Sequence, residues 1–193
     1  MRASALFASA WFAVSHAALA VELPQANPVP GGIAIVPLAH AAETAPRVRF
    51  GNDRVMVVRH DGRWHAVVGL PLTLATGEHR LSQDGAGAAV FAVRPKEYAA
   101  QHLTLADKRM VDPTASDLKR IGREQKILQR VFQTWSEASV PPLRFDLPAR
   151  GRLSSPFGLR RFFNNQSRQP HSGLDIAAPS GTPIVAPASG SVI

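Results

Sequence analysis

The sequence predicts a mainly β protein: an N-terminal β-sandwich-like domain, one connector helix, then the opening half of an antiparallel β-sheet domain. Three observations predict it. Short apolar runs recur between Gly- and Asp-containing turn signals over residues 47–112, the spacing of a small sandwich. A single heptad-like apolar stripe follows, behind a helix-capping signature. Pro141-Pro142 and Pro148 then mark a boundary, beyond which short runs and turn glycines resume.

Met1-Arg2 is a positive start, Ala3 to Val14 is apolar, and Ala18-Leu19-Ala20 is a small-residue cleavage site, so residues 1–20 read as a secretory signal peptide. The run is too short to span a bilayer, and no later stretch approaches the roughly 20 apolar residues a span needs. Residues 21–46 are rich in Pro and Ala (Pro24, Pro28, Pro30, Pro37, Pro46) and read as a mature N-terminus. Ile33-Ala34-Ile35-Val36, after Gly31-Gly32, is its one candidate strand. From Arg47 the pattern is β. Val55-Met56-Val57-Val58 and Trp64-His65-Ala66-Val67-Val68 flank Asp61-Gly62, which predicts a type I′ hairpin. Further strands are expected at Leu70 to Leu74 and Ala89 to Val93, separated by Gly77 and by Asp84-Gly85-Ala86-Gly87.

The helix is expected over 114–138. Thr114-x-x-Asp117 is a capping box in its acidic variant, and Leu118, Ile121, Leu128, Phe132 and Trp135 keep one apolar face. Lys119, Arg123, Lys126 and Arg130 lie opposite. That arrangement fits a solvated basic face, or a connector that docks on a partner or covers an active site. The last domain is expected over 145–193, with runs at Ile184-Val185-Ala186 and Ser191-Val192-Ile193. The sequence stops within what reads as a strand, as a fragment would.

Composition bounds the function. Of 193 residues, 45% are apolar and 19% charged, which excludes wholesale disorder. There is no cysteine, hence no disulfide framework and no thiol for a lipid anchor. The net charge is +8; with Arg2 set aside in the signal, 21 basic residues face 14 acidic ones. Such a balance favours anionic partners: nucleic acid, phospholipid or an anionic cell wall. No basic run interleaved with aromatics appears, so nucleic acid is the weakest of these. The expectation is an exported protein without stable membrane insertion. Its oligomeric state is not legible.

The chemistry concentrates in Pro170-His171-Ser172-Gly173-Leu174-Asp175. A histidine nitrogen and a carboxylate oxygen four residues apart can share one Zn²⁺ and leave it able to activate water. With seven His in the chain, this spacing arises by chance in about one chain in three or four, so context carries the weight. Pro170 and Gly173 argue against a helix, and the small Ser172 and Gly173 let a loop curve until both side chains meet one ion. Arg160, Arg161 and Arg168 flank the pair and suit substrate carboxylates, or equally surface salt bridges. Asn164 or Asn165 could reach the metal, or serve a turn; Arg160, Asn164 and Arg168 are candidate substrate-binding residues. His40, His60, His65, His79 and His102 have no ligand-like neighbours in sequence. Ser154-Ser155 lacks an esterase setting.

Phe157-Gly158-x-Arg160, His171-x-Gly173-x-Asp175, Gly181-Thr182-Pro183 and Ala186-Pro187-x-x-Gly190 follow in order. This run of about 43 residues resembles the opening half of a lysostaphin/LytM-type zinc metallopeptidase domain. The Arg161-Phe162-Phe163-Asn164 insert resembles proteobacterial members, which implies a Gram-negative periplasm. The resemblance implies a β-sheet peptidoglycan endopeptidase that uses Zn²⁺, with His171 and Asp175 as its first two ligands. It implies a third ligand and the catalytic histidines in a later His-x-His motif, beyond Ile193. No catalytic residue is then expected within this chain, which should be inactive as written. The rival expectations are a degenerate LytM-type module that binds or activates other cell-wall hydrolases, and a plain β-sandwich binding domain with a chance motif.

Overall fold

The computed structural model describes residues 22–39, 41–106, 111–137 and 143–193. The expected signal peptide, His40 and Pro141-Pro142 lie outside the described residues. The chain is mainly β, as predicted, and begins with two facing sheets. The first contains β1 (Ile33–Pro37), β5 (Arg63–Gly69) and β4 (Met56–His60), in the order β1-β5-β4. The second contains β2 (Val48–Phe50), β3 (Asp53–Arg54), β6 (Gly77–Gln83) and β7 (Ala86–Val93), in the order β3-β2-β6-β7. Alternation decides what each strand buries. Ala34 and Val36 from β1, Ala66 and Val68 from β5, Val48, Leu81 and Val93 form one core, with Leu38 and Leu70 closing it.

The β4–β5 hairpin forms as expected. Asp61 (φ 48°) and Gly62 (φ 74°) both take the left-handed conformation a type I′ turn requires, between His60 and Arg63 in register. Two other expectations change. The candidate strand at Ile33-Ala34-Ile35-Val36 forms as β1, but it pairs with β5 over its whole length, so the sandwich takes in residues before the expected start at Arg47. Leu70 to Leu74 is not a strand. Pro71 lacks the N–H a ladder needs, and its carbonyl instead accepts from Leu74 N at 3.0 Å, closing a turn. The strand falls on Gly77–Gln83, whose sequence offers only Leu81 as an apolar residue. Its pairing with β2 and β7 on either side supplies what its sequence does not.

Helix α1 spans Ala115–Phe132, with Thr114 and Asp117 forming the predicted capping box. It stops short of residue 138. Thr134 donates its hydroxyl to Arg130 O at 3.1 Å, and the next side chains turn to β3. Arg54 sits over the Trp135 ring at 4.3 Å and pairs with Glu137 at 2.6 Å. None of the helix residues is buried, and Leu118, Ile127, Leu128 and Phe132 stay exposed.

The remaining strands build the site. β9 (Arg152–Ser155) pairs antiparallel with β12 (Asp175–Ala177). β10 (Arg160–Phe163) pairs antiparallel with β11 (Gln166–Ser167), and Asn164 and Asn165, with φ of 49° and 64°, make the tight turn between them. β10 also pairs with β8 (Ala100–Leu103), and that pair is parallel: the segment leaving the sandwich adds a strand to the second unit. Ile184 to Ile193 forms no strand. Two backbone bonds tie its start, Val185 N to Pro148 O and Asp146 N to Pro187 O, both 2.9 Å.

Candidate metal centre

Three pieces of backbone hold the site. His171 N donates to Leu159 O at 2.9 Å and Gly158 N to His171 O at 2.7 Å, which fixes the His171 loop against the start of β10. Asp175 opens β12 opposite Ser155 of β9. The loop between them is not helical, as Pro170 and Gly173 require.

His171 and Asp175 are brought together, with Nε2 and Oδ1 3.1 Å apart. The His171 side chain is 14% exposed and that of Asp175 51%, so the pair opens to solvent on the carboxylate side. His171 Nδ1 lies 2.9 Å from Pro156 O. A carbonyl only accepts, so Nδ1 carries a hydrogen toward Pro156 O and Nε2 is the ring nitrogen that faces Asp175. A separation of 3.1 Å suits an N–H···O hydrogen bond between the two side chains, or two donors sharing one cation. Among the described residues, no group of three or more His, Cys, Asp or Glu side chains converges on one point.

Arg161 joins the pair. Its Nη2 donates to Ser155 Oγ at 2.8 Å and lies 3.6 Å from Asp175 Oδ2, while Ser155 Oγ is 3.2 Å from His171 Nδ1. The three substrate-binding candidates are engaged elsewhere. Arg160 donates from Nε to Tyr98 O at 3.2 Å. Asn164 clamps the backbone of Leu105, accepting from its N–H at 2.8 Å and donating to its carbonyl at 3.2 Å. Arg168 donates to Val111 O at 2.6 Å and to Gln166 Oε1 at 2.8 Å. All three tie the second unit to the segment that leaves the sandwich. The described histidines outside the motif serve packing: His102 stacks on Phe162 at 4.5 Å, His79 meets Phe50 and Phe91, and His60 meets His65.

Next to the ligand loop lies a cleft of about 450 Å³, walled on one side by Leu70 to Thr73 of the sandwich and on the other by Phe157, Gln169, Pro170 and Ser172. Tyr98 pins the two units together here. Its hydroxyl donates to Pro30 O at 2.8 Å, and its ring meets Phe157 edge-on at 6.4 Å. No described helix is long and apolar enough to cross a membrane.

Residues 26–96 match the peptidase family M23 N-terminal domain. The solved structures similar to the chain include that of a candidate peptidase M23 from Pseudomonas aeruginosa, 38% identical with a TM-score of 0.67. The match covers 86% of this chain and 62% of that one, so the chain spans less than two thirds of its solved relative. No curated protein matches. M23 peptidases are generally metallopeptidases. The N-terminal module thus matches that of M23 peptidases, and the fold is similar to that of a solved candidate member of the family.

Proposed function

We propose that the protein is a zinc-dependent endopeptidase that hydrolyses peptide cross-links of peptidoglycan after export to the periplasm. The carrying observation is the His171–Asp175 pair. Donor atoms about 2.0–2.2 Å from a zinc ion at the tetrahedral angle lie roughly 3.3–3.6 Å from each other, and Nε2 and Oδ1, 3.1 Å apart, need separate only slightly to admit the ion. The hydrogen bond from Nδ1 to Pro156 O selects the tautomer a metal ligand needs. The basic balance of the chain suits an anionic wall polymer.

Bound zinc would supply Lewis acidity toward a scissile carbonyl and its attacking water. The residues of this chain would hold and orient it: His171 through Nε2, Asp175 through Oδ1. The LytM-type resemblance implies a third ligand and proton-transferring histidines from a His-x-His motif, and residues 1–193 contain no such motif.

The test is metal analysis of the full-length protein with a muropeptide cleavage assay. One zinc per chain and cleavage are expected, and both should disappear in His171→Ala. Cleavage retained by that variant would sink the assignment. A zinc-free full-length protein that stimulates other wall hydrolases would favour a regulatory module instead.

A further inference from the structure

The polar side chains around the ligand pair close a ring. His171 Nε2 faces Asp175 Oδ1 at 3.1 Å; Asp175 Oδ2 faces Arg161 Nη2 at 3.6 Å; that nitrogen donates to Ser155 Oγ at 2.8 Å; and Ser155 Oγ returns to His171 Nδ1 at 3.2 Å. Its members come from β9, β10, the ligand loop and β12. We propose that Arg161 is the positioning residue of the metal site. Its guanidinium holds Oδ2 and so presents Oδ1 as the single carboxylate oxygen offered to the cation shared with His171. The inference rests on the metal-binding reading of that pair and adds what orients it.

Burial sets the direction of control. The Arg161 side chain is 29% exposed and that of Asp175 51%, so the arginine is the better-fixed partner and the carboxylate the one that needs fixing. An exposed carboxylate rotates about its terminal torsion and can present either oxygen, or both. A fixed cation beside one oxygen biases that choice. Arg161 is itself anchored through Ser155, whose strand carries the register that sets Asp175. At 3.6 Å its contact with Asp175 is a charge–charge contact rather than a hydrogen bond. Charge at that place should therefore count for more than donor geometry.

The experiment measures Zn²⁺ affinity of the full-length protein by chelator competition, and the visible spectrum of its Co²⁺ form. Arg161→Met should weaken zinc binding by about 10–100-fold, the usual range when a group orienting a ligand is removed, and should alter the Co²⁺ spectrum as the carboxylate changes its binding mode. Arg161→Lys, which keeps the charge, should recover most of the affinity. Ser155→Ala, the milder variant should Arg161→Met not fold, should lose affinity in the same direction by a smaller factor. Unchanged or tighter zinc binding in folded Arg161→Met, with an unaltered Co²⁺ spectrum, overturns the role of Arg161 and leaves the metal site standing. A parent protein that binds no zinc overturns the metal site itself.

Discussion

Gly158→Ala should separate the sandwich from the ligand loop, and its cost can be worked from two independent contributions. Gly158 has φ 83°, a left-handed conformation that costs a residue with a Cβ roughly 1–2 kcal/mol. The added Cβ would also stand 2.1 Å from Cδ1 and Cε1 of Tyr98 and 2.8 Å from its Cζ. That is the body of the ring, and the ring cannot swing away cheaply. Its hydroxyl is bonded to Pro30 O, Lys96 Nζ lies 4.5 Å from its centroid, and Phe157 meets it edge-on. Overpacking of this kind adds about 1–3 kcal/mol. The sum predicts a destabilisation of roughly 2–5 kcal/mol in urea unfolding. Because Gly158 N donates to His171 O, zinc affinity should fall with it. The refuting comparison is built in. In a Tyr98→Ala background only the backbone contribution remains, so Gly158→Ala should then cost about 1–2 kcal/mol. An equal cost in both backgrounds would show that the ring contact carries nothing.

Leu81→Ala, at a fully buried position between β2 and β7, should cost about 2–5 kcal/mol by the same unfolding assay; a loss near zero would mean the core described here is not the one that folds. Gln83→Met should stabilise the protein by about 1 kcal/mol, since Gln83 is buried and its Nε2 has no partner; a clear loss of stability would show the amide is bonded after all. The hydrogen bond from Arg54 holds the Glu137 carboxyl below the usual carboxylate range, with a second from Trp135. Its contribution is complete at neutral pH and fades as pH falls through the lowered folded value, so Arg54→Met should raise the Glu137 midpoint in a carboxyl NMR titration, and an unmoved midpoint would contradict the pairing.

The fold was legible where local chemistry decides it. Asp61-Gly62 admits little but a type I′ turn, and Thr114 with Asp117 announces a helix start; both form. It was illegible where tertiary pairing overrides sequence. Gly-Glu-His-Arg-Leu-Ser-Gln has no strand pattern, and β6 exists because β2 and β7 both pair with it. The helix end follows the same logic: Trp135 continues the heptad, but Arg54, more than eighty positions earlier, draws that segment away from the helical path. Long-range partners of this kind leave no trace in a window of neighbouring residues.

The site divides along the same line. His171 and Asp175 were visible because a loop motif keeps ligand spacing in sequence, and the structure brings their donor atoms to 3.1 Å. Choosing among the arginines needed the strand. Arg160 and Arg161 are adjacent in β10, and successive side chains of a strand point to opposite faces. Arg160 reaches the Tyr98 carbonyl and Phe162 stacks on His102 of β8, whereas Arg161 turns to Ser155 and Asp175. Sequence order gave both arginines equal standing beside the motif. Only the parity of β10, fixed by its parallel register with β8, makes one a tie to the N-terminal module and the other a neighbour of Asp175. Inserting one residue between Arg160 and Ser155 would leave the motif intact, but a slip of β10 by one position would exchange the two roles.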